Sequence, residues 1–226
     1  MVSQLLYGDC FKIIGIKKKW LNITTVEDDY SGWIDRKQAQ KITLELLQEL
    51  DKKSSYSTSL VDYLETAHNS LTPIVLGSNI SCVKLLNHTF KGNITEGEKE
   101  KINLLKTASL YLNTPYLWGG KTPIGIDCSG LTQMIYRING YKIPRDASQQ
   151  ANLGETLSFI DESEPGDLAF FDDEEGKINH VGILLENHFI LHAHGQVRIN
   201  RIDQTGIYNS QTQQYSHKLR IIKKII

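Results

Sequence analysis

Alternation of apolar and polar residues opens the chain. Residues 3–7, 10–17, 20–25 and 31–35 read as short strands, with Phe11 and Ile13, then Trp20, Asn22 and Thr24, marking the two-residue period of half-buried strands. Gly8-Asp9, the lysines at 17–19 and Asp28-Asp29 supply the turns. A small β-barrel with Trp33 in its core is predicted, and three lysines at a hairpin tip read as a solvated turn. Residues 43–51 predict a short helix from Leu44 and Leu47, residues 54–59 a polar loop, and residues 73–76 and 80–86 two further strands. After the polar segment at 95–98 the period changes. Ile102, Leu105, Ala108 and Leu112 recur every three or four residues, so residues 98–112 predict a helix with one apolar face. A second helix starts at Cys128, carries Leu131, Met134, Ile135 and Ile138, and stops at Asn139-Gly140. Residues 166–171, 181–185, 188–192, 197–202 and 218–226 then read as strands. The expected class is α+β, with a β domain over residues 1–95 that carries an insertion and an α+β domain over residues 96–226.

Composition narrows the function classes. With 226 residues, 40% of them hydrophobic, the chain can bury one large core or two small ones. Twenty-five basic against 26 acidic residues leave a formal charge of −1, which argues against a nucleic-acid or anionic-membrane partner. No apolar run approaches the roughly 20 residues of a membrane-spanning helix. Cys10, Cys82 and Cys128 are too few and too irregularly spaced for a disulfide framework or a CxxC-type zinc motif. A reducing, cytoplasmic setting is therefore expected, with the periplasm or the cell exterior as the alternative had a leader been removed.

Cys128 carries the chemical signal. Helix-terminal N–H groups and the macrodipole favour an anion where it lies, and Asp127, Ser129 and Gly130 make a poor core segment around it. A nucleophilic thiol needs a base, and the base an orienting partner. A hairpin centred on Glu186 would place His180 directly opposite His192, with Cβ atoms on the order of 5 Å apart. A metal site is the competing reading, because His192-Ala193-His194 sets two imidazoles on one strand face. No carboxylate or third histidine is spaced to complete it, so neither metal nor cofactor is expected. No GxSxG elbow, P-loop or GxGxxG fingerprint occurs.

Five ordered motifs carry a resemblance: Tyr116-Leu117-Trp118-Gly119-Gly120, Asp127-Cys128-Ser129-Gly130-Leu131, residues 144–150 from Pro144-Arg145-Asp146 to Gln150, Pro165-Gly166-Asp167-Leu168, and His180-Val181-Gly182-Ile183. In these the chain resembles the NlpC/P60 family of papain-like cysteine peptidases. Residues 3–9 and 29–34 are similar to the bacterial SH3-like domains fused to such enzymes. The resemblance implies a papain-like catalytic domain preceded by an SH3-like β-barrel. It also implies hydrolysis of the γ-D-glutamyl to diamino acid bond in murein tripeptides or tetrapeptides whose L-Ala amine is free, by a monomer without a cofactor. Carried over by motif, Cys128 is the nucleophile, His180 the base and then the acid, His192 its orienting residue, and Tyr116 an oxyanion donor beside the Cys128 N–H. Asp127, Ser129 and Ser148 would line the pocket, with Arg145 as its nearest cation unless an acid such as Asp146 pairs it. Asp9 and Tyr30 are the candidates for holding the free ammonium. Asn179 stands where a histidine often precedes the catalytic one, and Trp118 is expected to shape the cleft. A wall-binding module without activity and a thioester-based acyltransferase are the alternatives. Thiol reactivity separates the first from a peptidase, and product analysis with added amines separates the second.

Overall fold

The structure is a computed structural model and describes residues 1–52 and 54–226. Its N-terminal part contains β1 (Phe11–Lys17), β2 (Trp20–Thr25), β3 (Ser31–Asp35), α1 (Leu44–Lys52), β4 (Ser55–Ser57), β5 (Val61–Glu65), β6 (Leu71–Val75) and β7 (Ile94–Glu96). Strands β1, β2 and β3 form an antiparallel sheet in that order, β5 pairs with β6, and β4 with β7. Leu21 and Ile23 of β2 face inward. Trp33 pairs with Asn22 on the other side of the sheet and is 52% exposed, so it is not the core tryptophan that its apolar character suggested.

Three other expectations fail where tertiary contacts override the local pattern. Residues 54–59 contain β4, whose three residues are buried against β7. Residues 80–86 form successive turns instead of a strand, since Val83 N donates to Ile80 O and Leu86 N to Cys82 O. Ile80 and Val83, three apart, then pack together on Leu64 and Ile74. Residues 3–7 are not a strand either. They run as an extended strap against the C-terminal part, where Gln4 Oε1 accepts the Lys121 N–H at 2.8 Å and Leu6 enters the main core.

The C-terminal part comprises α2 (Ile102–Ser109), β8 (Lys121–Thr122), β9 (Gly125–Ile126), α3 (Cys128–Ile138), α4 (Ala147–Gln150) and β10 (Glu155–Leu157). It continues through β11 (Leu168–Asp172), β12 (Ile178–Leu185), β13 (Phe189–His194), β14 (Gln196–Ile202), β15 (Gly206–Asn209) and β16 (Gln214–Lys224). Strands β11 to β16 follow one another in the sheet, and β16 pairs with both β11 and β15, which closes six strands on themselves. The alternation of the strands divides the core. Phe170, Val181, Ile183 and Leu191 pack on the helices, whereas Phe171, Leu184, Ile190 and Ile207 fill the opposite face.

All eleven residues of α3 are buried. Its apolar side lies on β12 and β13, and its polar residues meet the N-terminal part: Gln133 Nε2 donates to Asp28 Oδ2 at 2.7 Å, and Arg137 pairs with Asp9 and Glu27. One helix thus carries Cys128 at its start and the junction between the two parts along its side.

Candidate active site

Asp127 is the N-cap of α3, extended at φ −97° and ψ 177°, and its carboxylate accepts the Gly130 N–H at 2.7 Å. This satisfies one of the orphan donors at a helix start. A Cβ on Gly130 would stand 2.3 Å from Gly120 O, so glycine lets the preceding loop close over the helix start. The same carboxylate accepts the Gly119 N–H at 2.8 Å and a two-pronged contact from Arg145, Nη1 to Oδ1 at 3.0 Å and Nη2 to Oδ2 at 2.6 Å. Arg145 also donates from Nη1 to Ser129 Oγ at 2.8 Å and from Nε to Ser3 Oγ at 3.0 Å, and is 1% exposed. The acid paired with Arg145 is therefore Asp127 and not Asp146. Asp127, Ser129 and Arg145 are engaged with one another beneath Cys128. They hold the frame of the helix start and do not offer free groups to a peptide.

Cys128 is 7% exposed. Burial, and then the Asp127 charge, push its thiol up to about 11, while the N–H groups of Val181 and Ser129 face the sulfur and pull the other way. Desolvation outweighs the helix terminus, contrary to the expected thiolate. Tyr116 lies beside it. Burial first, then the sulfur and Asp127, raise its phenol to about 12, so the hydroxyl keeps its proton and can donate. Its backbone N–H is fixed on Gly195 O at 2.9 Å.

His180 follows from β12 directly, because Val181, whose N–H faces the sulfur, is its neighbour. The β12–β13 hairpin turns about Asn187, with Asn187 and His188 both at positive φ, so Gly182 and not His180 stands opposite His192. This register differs by two residues from the expected one and leaves both histidines on one face, since parity is kept. A Cβ at Gly182 would come within 2.9 Å of His192 Cβ, so the glycine admits the ring. His180 Nε2 then meets His192 Nδ1 at 2.9 Å on the diagonal, and His192 Nε2 meets Asn200 Oδ1 at 3.1 Å.

The tautomers follow from Asn200. Its Nδ2 points to Tyr208 O at 3.5 Å, which turns Oδ1 toward His192. An amide oxygen only accepts, so His192 carries its proton on Nε2 and accepts at Nδ1. His180 therefore donates from Nε2, and its Nδ1 retains a lone pair. Burial holds His180 well below the usual imidazole range and His192 near 3, so both rings are neutral at neutral pH. No hydrogen bond joins the Cys128 sulfur to the His180 ring among the described residues; catalytic contacts of this kind often tighten only once substrate is seated.

Other candidates scatter. Asp9 is drawn away to Arg137, with its second oxygen accepting the Leu6 N–H at 2.8 Å, so it is not the carboxylate beside Tyr30. Tyr30 instead adjoins Asp146, and burial followed by that charge raises its phenol. Ser148 is exposed on α4, two residues further on. Asn179 is exposed, and Trp118 is 69% exposed at the tip of the loop after Tyr116.

Sequence reasoning missed Asn200 and His217. The tight turn at Gly195 would have placed Asn200 on the face of His192 by the same register argument. His217 has no local signal: β16 brings it against β15 opposite Ile207, and its ring stacks on His180 with centroids 4.2 Å apart. It is the third histidine that spacing alone did not supply, because ring nitrogens of His180, His192 and His217 all lie within 4.8 Å of one another. Replacing Asn200 by Leu removes the acceptor that sets the His192 tautomer. A neutral hydrogen bond of about 1 kcal/mol is lost, so kcat is expected to fall about fivefold with KM unchanged, as measured by steady-state kinetics alongside a thermal melt.

A buried cysteine at a helix start, with a phenol beside it and a hydrogen-bonded line of histidines on the adjoining strand, is the equipment of a cysteine-type hydrolase. The chain belongs to the NlpC/P60 family, whose model matches residues 113–218, and residues 1–38 match the bacterial dipeptidyl-peptidase Sh3 domain. It is 38% identical over 242 residues to dipeptidyl-peptidase 6 of Lysinibacillus sphaericus, covering 90% of this chain and 85% of that one. It is 28% identical over 213 residues to the gamma-D-glutamyl-L-lysine dipeptidyl-peptidase of Bacillus subtilis, covering 84% and 71%. The crystal structure of an NlpC/P60 family protein from Bacillus cereus has the same fold, with a TM-score of 0.81 at 20% identity over 99% of this chain and 81% of that one. The protein is thus a cysteine-type peptidase, an SH3-like β-barrel followed by a papain-like α+β domain.

Proposed function

We propose that the protein cleaves the bond between the γ-carboxyl of D-Glu and the following diamino acid in cell-wall peptides that begin with a free L-Ala amine. The hydrogen-bonded line Asn200, His192, His180 carries this reading, because it engages His192 Nδ1 as the acceptor from His180 Nε2 and leaves His180 Nδ1 with its lone pair for the thiol proton. Cys128 attacks the γ-carbonyl carbon as its thiol proton passes to His180, and the carbonyl electrons move onto oxygen. The Cys128 N–H at the start of α3 and the Tyr116 hydroxyl receive that oxyanion. Collapse expels the diamino acid, whose amine takes the proton from His180, and leaves a thioester. Water, deprotonated by His180, then releases the dipeptide acid and restores the thiol.

Dipeptidyl-peptidase, the name of both relatives, describes removal of a dipeptide, which presupposes a free N-terminus on the substrate. In this chain a carboxylate next to an aromatic hydroxyl, Asp146 beside Tyr30, lies where the SH3-like part meets the catalytic part. An ammonium there gains a charge-assisted contact worth about 1.5–3 kcal/mol. Mass analysis of L-Ala-γ-D-Glu-diamino acid is expected to show cleavage of the free peptide, and kcat/KM lower by about 10- to 100-fold for the N-acetylated one. Equal turnover of the two would remove the amine requirement.

A further inference from the structure

We propose that His180, His192 and His217 form a binding site for a divalent transition ion of the zinc class, and that an ion held there switches the peptidase off. The inference rests on the reading of His180 as the base. Three imidazoles from β12, β13 and β16 converge at one end of the closed sheet, with ligand nitrogens within 4.8 Å of one another. Two of them, His180 Nε2 and His192 Nδ1, are 2.9 Å apart and aimed at each other. In a tetrahedral zinc site with Zn–N near 2.0–2.1 Å the nitrogens stand about 3.3 Å apart, so His180 and His192 need to separate by a few tenths of an ångström, and the His217 ring, stacked on His180 with centroids 4.2 Å apart, has to turn out of that stack to aim its Nε2 at the ion.

The surroundings match what a metal-bound imidazole needs, which is a partner for its other nitrogen. His192 Nε2 donates to Asn200 Oδ1 at 3.1 Å, and His217 Nδ1 is 2.9 Å from Ser216 Oγ. His180 and His192 are buried and His217 is half-exposed, so the ion arrives from the His217 side, where the exposed His194 ring meets His217 at 4.9 Å. The fourth position faces that opening and takes water. Imidazole ligands without thiolate or a hard oxygen cage suit zinc, nickel or copper rather than magnesium or calcium.

The consequence is a trapped base. On binding, the proton on His180 Nε2 passes by way of solvent to Nδ1 with no net loss, and Nε2 and His192 Nδ1 each donate a lone pair to the ion. Neutral His180 takes its single proton on Nδ1. That nitrogen is then a donor and has no lone pair to accept the Cys128 proton, so no nucleophile is generated.

Titration of the full chain with zinc chloride, followed by calorimetry, and with cobalt chloride, followed by its visible absorption, tests the site. One ion per chain is expected, with affinity kept in Cys128→Ala and weakened more than about 100-fold in His217→Ala. Inhibition of peptide cleavage should track zinc occupancy and be reversed by EDTA. Lack of saturable binding overturns the proposal. So does binding that is lost in Cys128→Ala and kept in His217→Ala, which would put the ion on the thiol. Should His217→Ala and His217→Gln both fail to fold by circular dichroism, imidazole nitrogen shifts in the unaltered protein decide, since zinc must move those of all three histidines. Zinc held by the three histidines in a chain that cleaves no γ-glutamyl peptide would support the site and count against the catalytic reading alone.

Discussion

Cys128→Ala is expected to lower kcat for L-Ala-γ-D-Glu-diamino acid by about 10⁶, the scale seen when a hydrolase loses its nucleophile. No other side chain can replace it. Cys10 and Cys82 belong to the N-terminal part, where Cys82 Sγ faces Asn79 O, and Tyr116 holds its proton too tightly to attack. The fold should survive, because the substitution deletes one buried sulfur and keeps the Asp127 cap on the Gly130 N–H, for a cost of about 1 kcal/mol. Product detection by mass spectrometry and urea melts of both proteins make the comparison. Turnover within tenfold of the parent would rule out a thiol mechanism, whereas a collapsed melt would show that the sulfur is a packing element.

The second large effect concerns stability. Arg145→Met should cost about 3–5 kcal/mol, because it strands the Asp127 carboxylate in a site where Arg145 supplies two of its contacts. The pair is buried, at 1% and 8% side-chain exposure, so water cannot take the place of the guanidinium. Arg145→Lys should recover only part of the loss, since an ammonium cannot reach both carboxylate oxygens, Ser129 Oγ and Ser3 Oγ together. Urea denaturation measures both variants, and a loss below about 1 kcal/mol for the methionine form would show that the carboxylate is satisfied without its partner. Activity of the molecules that remain folded should fall as well, because Asp127 caps the first turn of α3, whose N–H groups receive the oxyanion in the proposed mechanism.

Much of the site was legible in the chain. The i, i+3, i+4, i+7 pattern of Leu131, Met134, Ile135 and Ile138 fixed the helix that starts at Cys128, and alternation fixed which residues of β12 and β13 share a face. A hairpin register in error by two residues still kept His180 with His192, because two residues is one full pleat. The assignments that failed, Trp33 to a core and Asp9 to an amine pocket, and the open question of which acid pairs Arg145, all depended on which surface a residue meets. Periodicity does not carry that information.

By itself, the sequence determined β1 to β3, the helices α2 and α3, the main strands that follow them, the cysteine at a helix start, the paired histidines and the motifs of an SH3-like and a papain-like part. These are properties of local spacing, in which each residue is constrained by neighbours a few positions away. Only the tertiary structure decided that Arg145 holds Asp127, that Asp9 goes to Arg137, that Asp146 adjoins Tyr30, and that β16 closes the sheet and lays His217 on His180. Those contacts join segments that are remote in sequence or carried on different elements. Their geometry is set by the packing of whole faces, which no stretch of the chain encodes alone.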